Sequence, residues 1–240
     1  MSRPPVNALD EDMLERLEAL VAGVGSDADI TVLHLRSGQD AFCAGADLAL
    51  MQSCFESAEG RAAMKEFVVR MQRLFASLEA APVVTLAEMG GAAMGGGLEL
   101  ALACDLRVAA EEARLGLPEV GLGLLPAAGG TQRLTRLCGE GVAKRLILGA
   151  EVIGGAEAQE LGLVQWVLPR TELAEWTRVL AARIAALPRA ALAASKACIH
   201  AAKETSRDGY ALELAATQAL YEDPESQRRV AEFLARRARK

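Results

Sequence analysis

The sequence predicts an α/β fold, on three observations. Short apolar runs, too brief for helices, alternate with longer segments of helical apolar period, and glycine or proline stands at most of the junctions between them.

Leucines at 9, 14, 17 and 20 with acids between them give a helical period over residues 9–22. DITVLHL, 29–35, is a short strand, and GQDAFCAGAD is a turn. Residues 57–80 form a long amphipathic helix that ends at Pro82, and PVVTLAE, 82–88, is a strand running into a glycine cluster. LELALAC is helical, DLRVAA and ARLG are extended, and the turn-rich PEVGLGLLPAAGG precedes the helix TQRLTRLC. After the strand LVQWVLP, 163–169, the chain reads as charged helix broken at Pro188, at Arg207 to Gly209 and at Pro224.

A chain of 240 residues can bury a sizeable core, and no linker divides it. The net charge of -6 argues against a nucleic-acid partner, because phosphate binding rests on Lys and Arg. Cys43, Cys54, Cys104, Cys138 and Cys198 are odd in number and form no CxxC pair, so reduced thiols are expected, with neither a disulfide frame nor a zinc site. The amino terminus lacks an apolar signal core, and no apolar run reaches about 18 residues, so a cytoplasmic protein without membrane contact is expected.

Some motifs lack their context. The GxGxxA run from Gly23 to Ala28 follows a helix and precedes a strand, the reverse of a dinucleotide site. There is no Walker A loop and no GxSxG elbow. His34, mid-strand, and His200, on an Ala-rich helix, read as structural.

Two glutamates are harder to dismiss. Gly95, Gly96 and Gly97 let backbone approach a ligand and lead into a helix whose N-terminal amides suit an oxygen that becomes negative. Glu99, just inside that helix, is either a dipole-complementing acid or a general acid/base tuned by apolar neighbours. Glu119, in GLPEVGLG, has no basic residue nearer than Arg114, and desolvation without a partner raises a carboxyl pKa toward neutrality. Two such acids suggest a shared water.

Residues 87–134, AEMGGAAMGGGLELALACDLRVAAEEARLGLPEVGLGLLPAAGGTQRL, together with AFCAGADL, resemble the enoyl-CoA hydratase branch of the crotonase superfamily. The likeness extends from RPPVNALD to the EFLARR tail. It implies a spiral of ββα turns over residues 1–186 and a C-terminal helical region, 187–240, for oligomerisation and active-site closure. It also implies a homotrimer or dimer of trimers, with the strand pair that precedes RPPVNALD in relatives missing here.

The same resemblance implies an acyl-CoA substrate, with no metal and no cofactor, since CoA enters as part of the thioester. Backbone N–H groups of Ala46 and Gly96 would form an oxyanion hole for the enolate. Glu119 would supply the proton to the α-carbon, and Glu99 would orient and activate water for syn addition to a 2-enoyl-CoA, giving a 3-hydroxyacyl-CoA. Ala44, Ala46, Asp47, Leu48, Ala49 and Gly96 would contact CoA. The family's isomerases usually keep only the later acid, so the pair favours hydration over an isomerase or another enolate-forming activity, or a non-catalytic acyl-CoA-binding role.

The sequence departs from the family at two positions. Ala49 stands where relatives often carry a cation for the CoA phosphates, which leaves Arg3, Lys65, Arg236, Arg237 and Lys240 as candidates. Ala127 stands where relatives commonly have glycine, placing a methyl group near the water or demanding another φ. The acyl tail is expected against a mobile segment, 50–63.

Overall fold

The computed structural model describes residues 1–202 and 207–237. In chain order the elements are α1 (Glu11–Ser26), β1 (Val32–Leu35), α2 (Leu48–Phe55), α3 (Ala58–Ala80), β2 (Val84–Met89), β3 (Ala93–Met94), α4 (Gly96–Leu102), β4 (Leu106–Ala110) and β5 (Arg114–Gly116). A 3-10 turn at Glu119–Leu122 follows, then α5 (Gly130–Leu148), β6 (Val152–Gly154), α6 (Gly155–Glu160), β7 (Trp166–Leu168), α7 (Arg170–Ala185), α8 (Arg189–Ala201), α9 (Gly209–Glu222) and α10 (Pro224–Arg237).

The main sheet has the order β1-β2-β4-β7 and is parallel throughout, with Val32 opposite Val84, Leu86 opposite Leu106, and Val108 opposite Trp166. Every residue of β2 is buried, as a parallel strand covered on both faces requires, and α7 packs against all four strands. The protein's two tryptophans meet at this layer: Trp166 of β7 and Trp176 of α7 lie 5.5 Å apart, tilted by 51°. A smaller sheet, β3-β5-β6, pairs β3 with β5 in parallel and β5 with β6 antiparallel.

Several differences from the sequence reading have local causes. Asp10 caps α1 by accepting from the Met13 N–H, so the helix opens at Glu11 and Leu9 instead bridges Ala46. Residues 48–55, given no element in the sequence reading, are helical, with Asp47 capping α2 through the Ala49 and Leu50 N–H groups, whereas α3 begins where expected, capped by Ser57 through the Gly60 N–H. β3, β6 and α6 are too short to show a period. Lys240, a candidate cation, lies outside the described residues.

The helix that carries Glu99 is anchored from behind. Arg107, 3% exposed, donates to the carbonyls of Ala101 and Cys104 at the end of α4 and to Leu163 O, with no carboxylate in ion-pair range among the described residues. A guanidinium there complements the negative end of the helix. Lys196 docks α8 onto the same region, 2.8 Å from Asp105 Oδ2 and donating to Val83 O. α9 and α10 bury no residue of their own.

Candidate active site

A cavity of about 470 Å³ opens between the 43–47 loop, α3, the start of α4 and the 118–128 segment. Its wall holds Glu99 and Glu119, together with Ala44, Ala46, Leu48 and Gly96. Asp47 and Ala49, the other expected CoA contacts, are not in this wall. Asp47 is committed elsewhere: it caps α2 and pairs with Arg3 at 3.0 Å. The Leu50 N–H and the Arg3 guanidinium hold its carboxyl below the ordinary range.

Glycine is required where α4 begins. Gly95 has φ +50°, and a Cβ there would fall 2.9 Å from Glu119 Oε1, so the acid lies directly against bare backbone. At Gly97 a Cβ would fall 2.1 Å from Cys43 O, which allows the 43–47 loop to rest on α4. That contact brings Ala46 and Gly96 together: a Cβ built on Gly96 would lie 3.7 Å from the Ala46 nitrogen. In the Leu9–Ala46 bridge, Leu9 N–H donates to Gly45 O and Asp47 N–H to Leu9 O, which turns the Ala46 N–H away from Leu9. Gly96 is the first residue of α4, so its N–H has no intrahelical acceptor.

Glu99 is 2% exposed, and its Oε1 accepts from the Gly130 N–H at 2.7 Å. Burial pushes its carboxyl up to about 7, and the neighbouring Glu119 carboxylate adds to the rise. The Gly130 and Ala128 backbone and the Arg133 charge oppose it. Burial also raises Glu119, whose Oε2 is buried with no hydrogen-bond partner among the described residues. Two raised carboxyls on one cavity, one with an oxygen left without a partner among the described residues, suit proton transfer to a bound molecule.

The remaining wall is apolar. Met51, Met64, Val68 and Met71 form one side, and Leu122, Leu124 and Leu125 another. Met51 falls in the 50–63 segment expected to meet the acyl tail; sequence reading missed the others as site residues, although the amphipathic period of α3 was a signal that its apolar face met something. Among the described residues the left-handed non-glycine positions are Asn7 and Ala150, so Ala127 needs no unusual φ, and its carbonyl accepts from Gln72. Arg3 is occupied by Asp10 and Asp47, and Arg236 reaches Glu232 at 3.7 Å. Arg237 lies over the Phe233 ring, and Lys65 is exposed on α3. Among the described residues, no cluster of three or more His, Cys, Asp or Glu could hold a metal ion.

Fold and site together define a crotonase-fold protein with a paired-carboxyl cavity. The family model described as enoyl-CoA hydratase/isomerase matches residues 1–239, and the chain belongs to that family. It is 40% identical over 210 residues to the crotonyl-CoA hydratase of Syntrophomonas wolfei, spanning 87% of this chain and 79% of the relative. It is 37% identical over 202 residues to the short-chain-enoyl-CoA hydratase of Clostridium acetobutylicum, spanning 83% and 76%. The solved structure of Pseudomonas aeruginosa DspI superposes with a TM-score of 0.91 at 36% identity, covering 98% of this chain and 88% of that one. An enoyl-CoA hydratase from Bacillus anthracis does so with 0.89 at 33% identity, covering 95% and 88%.

Proposed function

We propose that the protein is an enoyl-CoA hydratase, a hydro-lyase that adds water to a 2-enoyl-CoA thioester in acyl-CoA metabolism. The observation that carries the reading is the presence of Glu99 and Glu119 on one cavity, each with its carboxyl raised by burial. Family membership and the hydratase names of the relatives support it.

In this mechanism the thioester oxygen sits between the Ala46 and Gly96 N–H groups, which stabilise the enolate as its charge develops. Glu99, supplied with donors that favour the ionised form, takes a proton from water as the oxygen bonds to the β-carbon. Glu119, left without donors at Oε2, holds a proton and delivers it to the α-carbon. One water is consumed, the pair exchanges protons with solvent, and no cofactor takes part. The apolar wall receives the acyl chain, and CoA leaves along the 43–49 loop.

Hydration is tested by loss of the conjugated thioester absorbance of crotonyl-CoA in heavy-oxygen water. Label in a 3-hydroxy product supports the reading, whereas a shifted double bond without label supports an isomerase.

The proposal includes a homotrimer or dimer of trimers. Tyr210, Leu214 and Tyr221 of α9, and Val230, Phe233 and Leu234 of α10, are exposed apolar side chains on helices that bury nothing of their own, which supports contact with other copies. Sedimentation analysis tests it. A cytoplasmic location is proposed from the unpaired cysteines, two of them buried thiols whose pKa burial pushes up to about 12. Among the described residues, no helix is long and apolar enough to cross a membrane.

A further inference from the structure

The hydrogen bond that aims Glu99 comes from a turn, residues 126–130, whose own geometry is demanding. Gly129 has φ +107°, and Gly130 must lack a side chain because a Cβ there would fall 2.9 Å from Glu99 Oε1. Such a turn needs support from outside, and three side chains supply it. Arg133 Nη1 donates to Ala128 O at 2.9 Å, and its guanidinium lies so close over Gly129 that a Cβ would meet Nη1 at 2.2 Å. Arg133 Nη2 is fixed in turn by Glu79 Oε2 at 2.7 Å, with the arginine side chain only 12% exposed. Gln72 Nε2 donates to Ala127 O at 2.6 Å.

Gln72 and Glu79 lie seven residues apart on α3, hence on one side of that helix, while Met64, Val68 and Met71 of the same helix form the cavity wall. One helix therefore shapes the apolar wall and braces the turn that holds the acid.

We propose that Arg133 is a positioning residue for Glu99: fixed by Glu79 and assisted by Gln72, it sets the 126–130 turn and so the Gly130 N–H that orients the carboxylate. The inference rests on the reading of Glu99 as the base that activates water. Arg133 touches no reacting atom. It acts through two main-chain groups and, by its charge, favours the ionised form of Glu99 against the burial that opposes it.

The test compares wild type, Arg133→Gln and Arg133→Lys with crotonyl-CoA across pH, together with carbon-13 NMR titration of the Glu99 carboxyl. The expected result for Arg133→Gln is a kcat lower by about 10²-fold, the scale of misplacing a catalytic group, with KM little changed. Its acid limb and Glu99 titration should both move to higher pH. Arg133→Lys, which keeps the charge and loses the fork, should restore the pH limb and only part of kcat. Should Arg133→Gln fail to fold, Glu79→Gln frees the guanidinium while keeping its charge, and should lower kcat without moving the Glu99 titration to higher pH; an unchanged kcat in that variant would overturn the brace.

The proposal is overturned if kcat of Arg133→Gln is unaffected, or if it falls while the Glu99 titration stays where it is in the wild type. The NMR readout does not depend on turnover. An inactive wild type whose Glu99 shifts in Arg133→Gln would overturn the hydratase reading and keep the brace, while an active wild type whose Glu99 does not shift would do the reverse.

Discussion

Glu99 Oε1 accepts a 2.7 Å hydrogen bond from the Gly130 N–H, across a sequence separation of 31 residues. The bond makes the first turn of α4 and the start of α5 one unit, and it gives the two acids different surroundings. Glu99 is offered protein donors, and Glu119 Oε2 is offered none among the described residues.

Replacing either acid by its amide should separate chemistry from binding. Glu99→Gln and Glu119→Gln should each lower kcat by about 10²–10⁴-fold, the range for losing a positioned acid or base. Affinity for a non-reactive acyl-CoA should stay nearly intact, as calorimetry would show. Equal losses in binding and turnover would assign both residues to the fold.

The pH profile follows from the role given to Glu99. Its carboxyl, pushed up to about 7, must be ionised to accept a proton from water. kcat/KM should therefore fall as pH drops below about 7. A profile flat from pH 5 to 8 would contradict the assignment.

Stability should move the opposite way. A carboxyl raised from 4.5 in the unfolded chain to about 7 in the folded one binds its proton more tightly when folded, so its contribution is favourable at low pH and is lost as pH rises between those values. The loss is about 3 kcal/mol, an order-of-magnitude figure. Glu99→Gln keeps an acceptor for Gly130 and removes the charge, so it should raise Tm at pH 8 and change it little near pH 4. Equal effects at both pH values would mean that burial of the charge is not the source.

Gly97 offers a geometric test. A methyl group there would meet Cys43 O at 2.1 Å, so Gly97→Ala must displace the 43–47 loop from α4, costing about 1–3 kcal/mol or more. Gly23→Ala, on an open face of α1 with nothing within 4 Å, should instead stabilise by about 0.5–1 kcal/mol. Thermal unfolding of the two variants checks the contrast.

The two acids are legible in the sequence because a carboxylate among glycines and aliphatic residues breaks a local pattern, and the resemblance supplies their partnership. The α/β order is legible because β2 is a short apolar run and α3 is long enough to show a helical period. Arg133, Gln72 and Glu79 are not legible, since their partners are each other and main-chain carbonyls brought near by folding, and a polar residue on an amphipathic helix looks the same whether it braces a turn or faces water. The helical form of 48–55 is hidden for a related reason. It depends on Asp47 as a cap, and that aspartate belongs to a motif whose resemblance points to ligand contact instead.

The Trp166–Trp176 pair joins β7 to α7 and contributes nothing to the cavity wall. Intrinsic fluorescence of this protein therefore reports whether the sheet and its covering helix remain docked, and is optically blind to events beside Glu99. An emission change on adding an acyl-CoA would signal a movement transmitted through the parallel sheet, which makes the pair a built-in gauge of long-range response.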